Sequence, residues 1–215
     1  GIGWWTTDIG GFYEGHPDDP AFRELLVRWF EFGVFSPICR LHGVRIPNGV
    51  AFSAPDGEVD YGRPAFEVFT DTGGDNEVWS YGEDLLQVFE RLLRIREALR
   101  PYLGAAMTRW AEEGVPPMRP LGFDHPDDPT AALGQGAYLF CADLLVAPVT
   151  EPGATAREIV LPRGGWVHVW TGDRYDGGTR ATVPAPPGSP PVFCRSGAFD
   201  EIGRILRAAA GIGAT

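Results

Sequence analysis

The sequence predicts an α+β protein, with helices in its first half and an antiparallel β-sandwich in its second half. Apolar residues recur at helical spacing up to about residue 115. After that point, short β-rich runs alternate with turns that contain glycine and proline, a pattern typical of a sandwich. With 215 residues, of which 44% are hydrophobic and 22% charged, the chain can build a sizeable core.

The first predicted helix runs from residue 21 to residue 35. Its apolar residues have the i, i+3, i+4 spacing of one broad buried face: Phe22, Leu25, Leu26, Trp29, Phe30 and Gly33. Asp18 or Asp19 can cap its start, and Pro20 suits the first turn, where its missing N–H costs nothing. The same five residues, His-Pro-Asp-Asp-Pro, recur at 125–129, which predicts that one way of starting a helix is used twice. A calcium site on the aspartate pairs is the alternative, and it needs more oxygen ligands than lie nearby in the sequence.

A second helical stretch is predicted from Gly82 to Glu113, where Pro101 is expected to kink it or to begin a new segment. Its apolar stripe comprises Leu85, Leu86, Phe89, Leu92, Leu93, Leu99 and Leu103. The stretch between the helices, from Gly43 to Asn76, has little periodicity. Loops of that length in a compact domain are usually functional or poorly ordered.

Strands are predicted at five places in the second half: residues 138–140, 144–147, 158–161, 166–170 and 179–183. A short closing helix is predicted from Glu201 to Ala210. The tail from Gly211 to Thr215 is expected to fray.

The charge balance argues against nucleic acid and membrane partners. The 18 basic residues are outnumbered by 29 acidic ones, for a net charge of −11, and an excess of this sign repels phosphate backbones and anionic lipids. No run of about 18 apolar residues is present to span a bilayer. No leader-like start is seen, so a cytoplasmic location is expected. Because residue 1 is glycine, the start has either been processed off or the chain is part of something longer.

The three cysteines, Cys39, Cys141 and Cys194, show no C-x-x-C spacing. They indicate neither a disulfide framework nor a zinc knuckle, and we interpret them as reduced, buried thiols. Spacing also reveals no glycine-rich phosphate loop and no Ser-His-Asp or Cys-His set. We therefore expect no cofactor and no metal ion.

Residues 1–12 predict a short buried strand that ends on Asp8 and precedes the pair Gly10-Gly11. Together with the following helix they form one βα unit. In a (β/α)₈ barrel, residues at the carboxyl end of a strand face the active site. The glycines would let the backbone turn away, so that the carboxylate points into a cleft. Asp8 is alternatively a cap or turn residue, because Asp before glycines is common in loops.

A second strand is predicted over residues 36–43, with Arg40 and His42 on one face. A histidine at a strand end followed by glycine is a candidate hydrogen-bond partner for a ligand. A single histidine is also common as a structural residue of intermediate burial, and both interpretations of His42 stay open.

Residues 4–12, Trp-Trp-Thr-Thr-Asp-Ile-Gly-Gly-Phe, resemble a segment late in the catalytic barrel of glycoside hydrolase family 31. This family comprises α-glucosidases, α-xylosidases and related retaining enzymes. The resemblance covers about residues 1–198 and continues in the family's order through residues 22–33, 40–43, 77–82, 99–103, 117–121, 143–149 and 170–172.

The resemblance implies a partial (β/α)₈ barrel followed by a sandwich. Residues 1–114 would be the last βα units of the catalytic barrel, residues 115–200 the β-sandwich domain, and residues 201–215 a helix and tail. The expected ligand is an α-linked oligosaccharide or glycoside.

The resemblance also implies substrate-binding roles. Asp8 and His42 would hydrogen-bond hydroxyls of the sugar at the scissile bond. Trp5 and Phe12 would supply apolar wall nearby, and Arg40 would brace the site. A carboxylate among hydroxyls would hold a polar substrate through charge-assisted hydrogen bonds.

The catalytic residues of the family have no counterpart here. A retaining glycosidase needs two carboxylates about 5–5.5 Å apart. In this family both are aspartates that lie upstream of the segment resembled by residues 4–12. The resemblance therefore implies the carboxyl-terminal portion of an O-glycosyl hydrolase acting on α-linked glucosides or xylosides, with no catalytic residue in this chain and no activity of the chain alone.

Two alternatives stay open. The first is a non-catalytic carbohydrate-binding or accessory protein built on the sandwich, and the second is a subunit that completes a split barrel with a partner. Two βα units cannot close a barrel, so apolar faces around Trp4, Phe22, Trp29 and Leu86 would stay uncovered. Such faces favour self-association or association with the missing barrel half.

Overall fold

The computed structural model describes residues 2–12, 15–46, 73–134 and 136–213. Most of the loop predicted from Gly43 to Asn76 lies outside these ranges, and so do residues 214 and 215 of the predicted tail. In the described ranges, a layer of helices packs against one face of a two-sheet assembly of antiparallel strands.

The described part of the first half contains three helices close to the predicted bounds: α1 (Pro20–Val34), α2 (Glu83–Ala98) and α3 (Arg100–Glu113). Asp19 caps α1 as expected, because its side chain accepts a hydrogen bond of 2.9 Å from the backbone N–H of Ala21. Pro101 lies in the first turn of α3, so the long helical stretch is divided at this proline as predicted.

The helices bury a narrower face than the spacing predicts. Phe30 of α1 packs on Phe89 of α2, with ring centroids 4.6 Å apart. Leu25 and Leu93, which the spacing places inside, are 50% and 39% exposed. Leu25 and Leu93 each lie at the edge of the apolar stripe of their helix. This stripe is wider than the part of the helix surface that the other described elements cover.

Eight antiparallel strands lie in the described part of the second half: β1 (Met118–Pro120), β2 (Tyr138–Phe140), β3 (Leu144–Val146), β4 (Ala156–Leu161), β5 (Gly165–His168), β6 (Arg174–Asp176), β7 (Thr179–Pro184) and β8 (Val192–Arg195). They build a six-stranded sheet in the order β1-β2-β3-β8-β5-β6 and a two-stranded sheet of β4 and β7. All five predicted strands are confirmed, although β5 ends at His168. Three strands were missed: β1 and β6 are short edge strands, and β8 is a short apolar run without alternation.

The central strands of the larger sheet are buried on both faces. In β2, Tyr138 and Phe140 face the helices, whereas Leu139 faces the smaller sheet. Leu139 pairs with Leu145 of β3, which in turn pairs with Phe193 of β8. These pairs align the inner residues of three strands. Double burial explains why β2 and β3 consist of continuous apolar residues and why β8 begins with three of them.

Short helical elements surround the sandwich: α4 (Leu121–Asp124), a 3₁₀ turn (Ala131–Leu133), a π-helical turn (Phe199–Gly203) and α5 (Arg204–Ala209). The last two confirm the predicted closing helix. Among the residues described, no helix has the length and apolar character needed to cross a membrane.

The two His-Pro-Asp-Asp-Pro segments form the same local hydrogen bond. Asp128 accepts from the backbone N–H of Thr130 at 3.0 Å, as Asp19 accepts from Ala21. Asp128 also accepts from the backbone N–H of Arg163 at 2.6 Å. The first copy of the repeat therefore precedes the long helix α1, whereas the second copy precedes only a single 3₁₀ turn.

The strand predicted to end on Asp8 and the strand predicted over residues 36–43 are wrong as extended strands. Within the described ranges the two segments share one parallel bridge, between Ile9 and Leu41. The first segment is also not buried as predicted, since Trp4 and Trp5 are 62% and 43% exposed. A parallel ladder needs evenly spaced backbone hydrogen bonds along both strands. The backbone hydrogen bonds between these two segments are separated by several residues, so the segments form no ladder.

The cysteines are free thiols. Cys141 and Cys194 are buried and Cys39 is half-buried. Burial raises the pKa of both Cys141 and Cys194 to about 12, which keeps these thiols protonated and unreactive. The interpretation as reduced, buried thiols is confirmed for these two.

Candidate functional site

The five predicted site residues lie on two neighbouring segments, the aspartate segment (residues 5–12) and the histidine segment (residues 38–45). Backbone hydrogen bonds of 3.0–3.2 Å join the segments: Ile38 to Trp5, Ile9 to Arg40, and Val44 to Phe12. The structure therefore brings all five residues to one region, although they come from two parts of the chain.

Helix α1 supports the aspartate segment on both sides of Asp8. Ile9 is 1% exposed and packs against Gly33 of α1, where any Cβ would collide with the Ile9 side chain. Glycine inside a helix costs about 0.5–1 kcal/mol relative to alanine, and this close approach explains its presence. Trp29 of α1 donates its indole N–H to the hydroxyl of Thr7 at 2.8 Å. Asp8 thus lies between two residues anchored on one helix.

The carboxylate of Asp8 forms an ion pair with the guanidinium of Arg40. The Asp8 side chain is 30% exposed and that of Arg40 is 47% exposed. A carboxylate has about four acceptor positions, so Asp8 keeps capacity for donors from solvent or from a ligand. Arg40 fixes the direction of the carboxylate, and the pair is accessible.

His42 and Phe12 form an aromatic pair beside the two segments. Their ring centroids are 5.4 Å apart, with an angle of 32° between the planes. Phe12 is 49% exposed and Trp5 is 43% exposed. The site thus combines a carboxylate, a histidine ring and accessible aromatic faces, a combination suited to a ligand with hydroxyl groups on an apolar ring.

Three glycines let the two segments approach each other. Gly10 and Gly11 adopt φ angles of +89° and +84°, which favour glycine, and the turn is closed by a 2.7 Å backbone bond from Gly11 to Asp8. Because backbone atoms close this turn, the side chain of Asp8 is left to pair with Arg40. Gly43 lies against the carbonyls of Gly11 and Phe12, where a side chain would collide.

Arg45 is a site-supporting residue that sequence reasoning missed. It is 1% exposed, and its guanidinium donates to the carbonyls of Gly10, Gly11 and His42. Burial lowers its pKa, and the residue still carries its charge because arginine stays protonated. Its position between the apolar Val44 and Ile46 was the available signal, since a charged residue inside an apolar run needs buried partners.

A second polar cluster joins α1 to the sandwich. Arg28 donates to the carbonyls of Ala154 at 2.7 Å and Ala185 at 2.9 Å. Glu31 lies 3.3 Å from Arg28 and accepts a hydrogen bond from the backbone N–H of Gly188. Burial raises the pKa of Glu31 to about 7, although the charge of Arg28 opposes this shift. The helix that supports Asp8 is thereby tied to the sandwich.

A cavity of about 1210 Å³ lies between α1 and residues 148–152. Leu25, Trp29 and Phe32 line it on the helix side. None of the five predicted site residues lines it, so it is separate from the aspartate and histidine segments. Within the part of the chain that the structure describes, no three His, Cys, Asp or Glu side chains come together as a metal site.

Two sequence-family models match the chain. The model described as "Glycosyl hydrolases family 31 TIM-barrel domain" matches residues 1–55. The model described as "Glycosyl hydrolase family 31 C-terminal domain" matches residues 114–199. Together they match more than half of the chain.

Individual proteins are similar over nearly the whole chain. An α-xylosidase of Saccharolobus solfataricus is 32% identical over 199 residues, covering 92% of this chain and 23% of the relative. A sulfoquinovosidase of Escherichia coli is 35% identical over 196 residues, covering 91% of this chain and 25% of the relative. The crystal structure of a GH31 α-xylosidase from a soil metagenome, complexed with xylose, has a TM-score of 0.81 and 43% identity, covering 95% of this chain and 29% of that chain. The chain spans about a quarter of the length of these curated relatives.

Proposed function

The chain belongs to glycoside hydrolase family 31, and we propose that it forms the carboxyl-terminal part of a retaining enzyme that acts on α-linked glucosides or xylosides. In this proposal residues 1–114 contribute the last βα units of a catalytic barrel. Residues 115–200 form the sandwich that follows it, and residues 201–215 form a closing helix and tail. The bond-cleaving carboxylates belong to residues outside these 215.

The observation that carries the proposal is the accessible Asp8–Arg40 pair beside the Phe12–His42 ring pair. Asp8 would accept hydrogen bonds from hydroxyls of the sugar at the scissile bond, and Arg40 would hold the carboxylate in the direction required. A charge-assisted hydrogen bond is roughly twice as strong as a neutral one, so Asp8 would supply much of the affinity for a polyhydroxylated ring.

His42, Phe12 and Trp5 would complete the binding surface. The ring nitrogens of His42 can each donate or accept a hydrogen bond, according to tautomer. Phe12 and Trp5 are half-exposed aromatic residues that would pack against the apolar C–H groups of the sugar. The name of one relative, α-xylosidase, supports a substrate with an α-linked sugar.

Asp8 has a binding role rather than a catalytic role in this proposal. Retaining cleavage needs a nucleophile and an acid/base carboxylate about 5–5.5 Å apart, and the acid must release a proton to the leaving group. Asp8 is engaged by the guanidinium of Arg40, which suits a fixed acceptor of hydroxyl groups. This chain would therefore bind and orient the sugar, and the two missing carboxylates would cleave the bond.

Calorimetric titration of the 215-residue chain with xylose and isomaltose tests the proposal. We expect binding that weakens at least about tenfold in Asp8→Asn, because a charge-assisted hydrogen bond contributes about 1.5–3 kcal/mol. Asp127→Asn is the matched control, since Asp127 is an exposed aspartate on the sandwich side, and its affinity should equal that of the unmodified chain. No variant should hydrolyse aryl α-glucosides or α-xylosides.

Either of two results would contradict the proposal. Turnover that survives Asp8→Asn would mean that this chain carries its own catalytic groups. Binding that is unchanged in Asp8→Asn would favour the non-catalytic carbohydrate-binding alternative, with its site on another surface.

A further inference from the structure

The turn that follows Asp8 directs its carbonyl groups inward. Gly10 and Gly11 both have positive φ, and the carbonyls of both accept hydrogen bonds from the guanidinium of Arg45. A buried carbonyl without a partner costs about as much as a lost hydrogen bond. The turn is therefore stable in this shape because the guanidinium of Arg45 donates to both inward carbonyls.

The same guanidinium reaches the second segment. Nη2 of Arg45 also donates to the carbonyl of His42 at 3.3 Å. Nη1 donates to the carbonyl of Gly10, and Nη2 donates to that of Gly11. A guanidinium is a rigid planar group with five N–H donors, so the spacing of its two terminal nitrogens fixes the Gly10 carbonyl of the turn relative to the carbonyl of His42. A lysine ammonium has its donors on one atom and cannot set this spacing.

Arg45 is itself held from several directions. Its side chain is 1% exposed, and its guanidinium carbon lies 5.6 Å from the centroid of the Phe22 ring in α1. The backbone N–H and carbonyl of Arg45 both pair with Gly74, at 3.4 Å and 2.7 Å. The arginine is thus a fixed reference point between the two segments and α1.

We propose that Arg45 is a positioning residue of the sugar site, setting the separation of the aspartate and histidine segments so that Asp8, Phe12 and His42 present one binding surface. This inference rests on the function proposed above and deepens it. Arg45 itself does not touch the sugar, because its guanidinium is buried against the backbone of the turn.

The first test needs no sugar. Proton NMR of the full chain should show a nuclear Overhauser effect between the rings of Phe12 and His42, whose centroids are 5.4 Å apart. We expect Arg45→Met to lose this contact, because the carbonyls of the two segments then have no common donor. Arg207→Met is the matched control, since Arg207 is also buried and also donates to backbone carbonyls, those of Val169 and Trp170. It should lower the melting temperature and leave the ring contact unchanged.

The second test measures affinity for xylose below the melting temperature of each variant. We expect Arg45→Lys to bind xylose at least about tenfold more weakly than the unmodified chain, because an ammonium cannot replace the planar fork. Arg207→Met should bind as the unmodified chain does, so a change of stability alone does not account for the loss.

Retention of both the ring contact and the affinity in Arg45→Lys would overturn the inference. If Arg45→Met does not fold, Arg45→Lys decides, because it keeps the aliphatic stem and the charge. If the unmodified chain binds neither xylose nor isomaltose, the proposed function fails. The ring contact in the Arg45 variants then still decides whether Arg45 positions the two segments.

Discussion

The aspartate and histidine segments are joined by separated backbone bonds and a single parallel bridge, whereas the strands of the larger sheet are joined by continuous antiparallel pairing. The segments also expose their aromatic residues, while the central strands of the larger sheet are covered on both faces by apolar clusters. One region therefore depends on a few polar contacts, and the other on burial distributed over many residues.

This difference separates binding from stability. The ionic and guanidinium contacts of the site set where a few side chains stand, and they contribute little apolar burial. The sandwich buries its central strands and supports α1 through Arg28 and Glu31. We expect substitutions in the sandwich to change the free energy of unfolding. Substitutions of the accessible side chains of the segments, such as Asp8 and Phe12, should change ligand binding at nearly constant stability.

The largest effect on stability is expected for Trp166→Ala. Trp166 is fully buried between the two sheets and donates its indole N–H to the carbonyl of Pro162 at 2.9 Å. Truncating a buried aromatic residue costs about 3–5 kcal/mol, to be measured by urea unfolding of the full chain. Trp79→Ala is the control, since Trp79 is 68% exposed and a surface change of this kind stays within about 0.5 kcal/mol. Equal losses in the two variants would refute distributed burial as the source of stability.

The junction between α1 and the sandwich is expected to depend on pH through Glu31. Its folded pKa of about 7 lies above the ordinary value of 4.5, so the folded chain binds the proton more tightly than the unfolded chain. The protonated Glu31 side chain therefore makes its full contribution to the free energy of unfolding below pH 4.5. Up to about 3 kcal/mol of this free energy is lost as pH rises from 4.5 towards 7. The charges of Arg28 and Arg91 oppose the shift.

Urea unfolding at several pH values tests this expectation for Glu31. The difference in free energy of unfolding between the unmodified chain and Glu31→Gln should change across this window, because glutamine does not titrate. Trp79→Ala, an exposed substitution that removes no titratable group, should give a constant difference. If the difference in free energy of unfolding is also constant for Glu31→Gln, then Glu31 does not titrate between pH 4.5 and about 7.

The smallest effects concern the two His-Pro-Asp-Asp-Pro segments, one in each half. Asp19→Ala should lower the free energy of unfolding by about 1 kcal/mol, the usual effect of removing a helix N-cap. Asp128→Ala should cost about 2 kcal/mol, because Asp128 is 5% exposed and its loss leaves the backbone N–H groups of Thr130 and Arg163 without their acceptor. The adjacent Asp18→Ala and Asp127→Ala serve as controls in the same unfolding experiment. A larger loss for Asp19→Ala would reverse the ranking.

The features predicted correctly are those that depend on neighbours in the sequence. The cap of α1 and the division of the helical stretch at Pro101 follow from local stereochemistry, and five strands follow from β-rich runs between turns. The strand β8 was missed because a short apolar run has no periodicity to identify it. The aspartate segment was expected to be a buried strand, and the single bridge to Leu41 shows that composition does not supply a pairing partner.

The sequence by itself determined the helices, most of the strands, the family and the pair of segments that carry the candidate site. Only the tertiary structure decided that Asp8 pairs with Arg40, that Arg45 joins both segments, and that Glu31 lies beside Gly188. The physical reason is distance along the chain. Periodicity and capping act within about one helical turn, whereas Glu31 and Gly188 are 157 residues apart, and a contact of that separation exists only after α1 has packed on the sandwich.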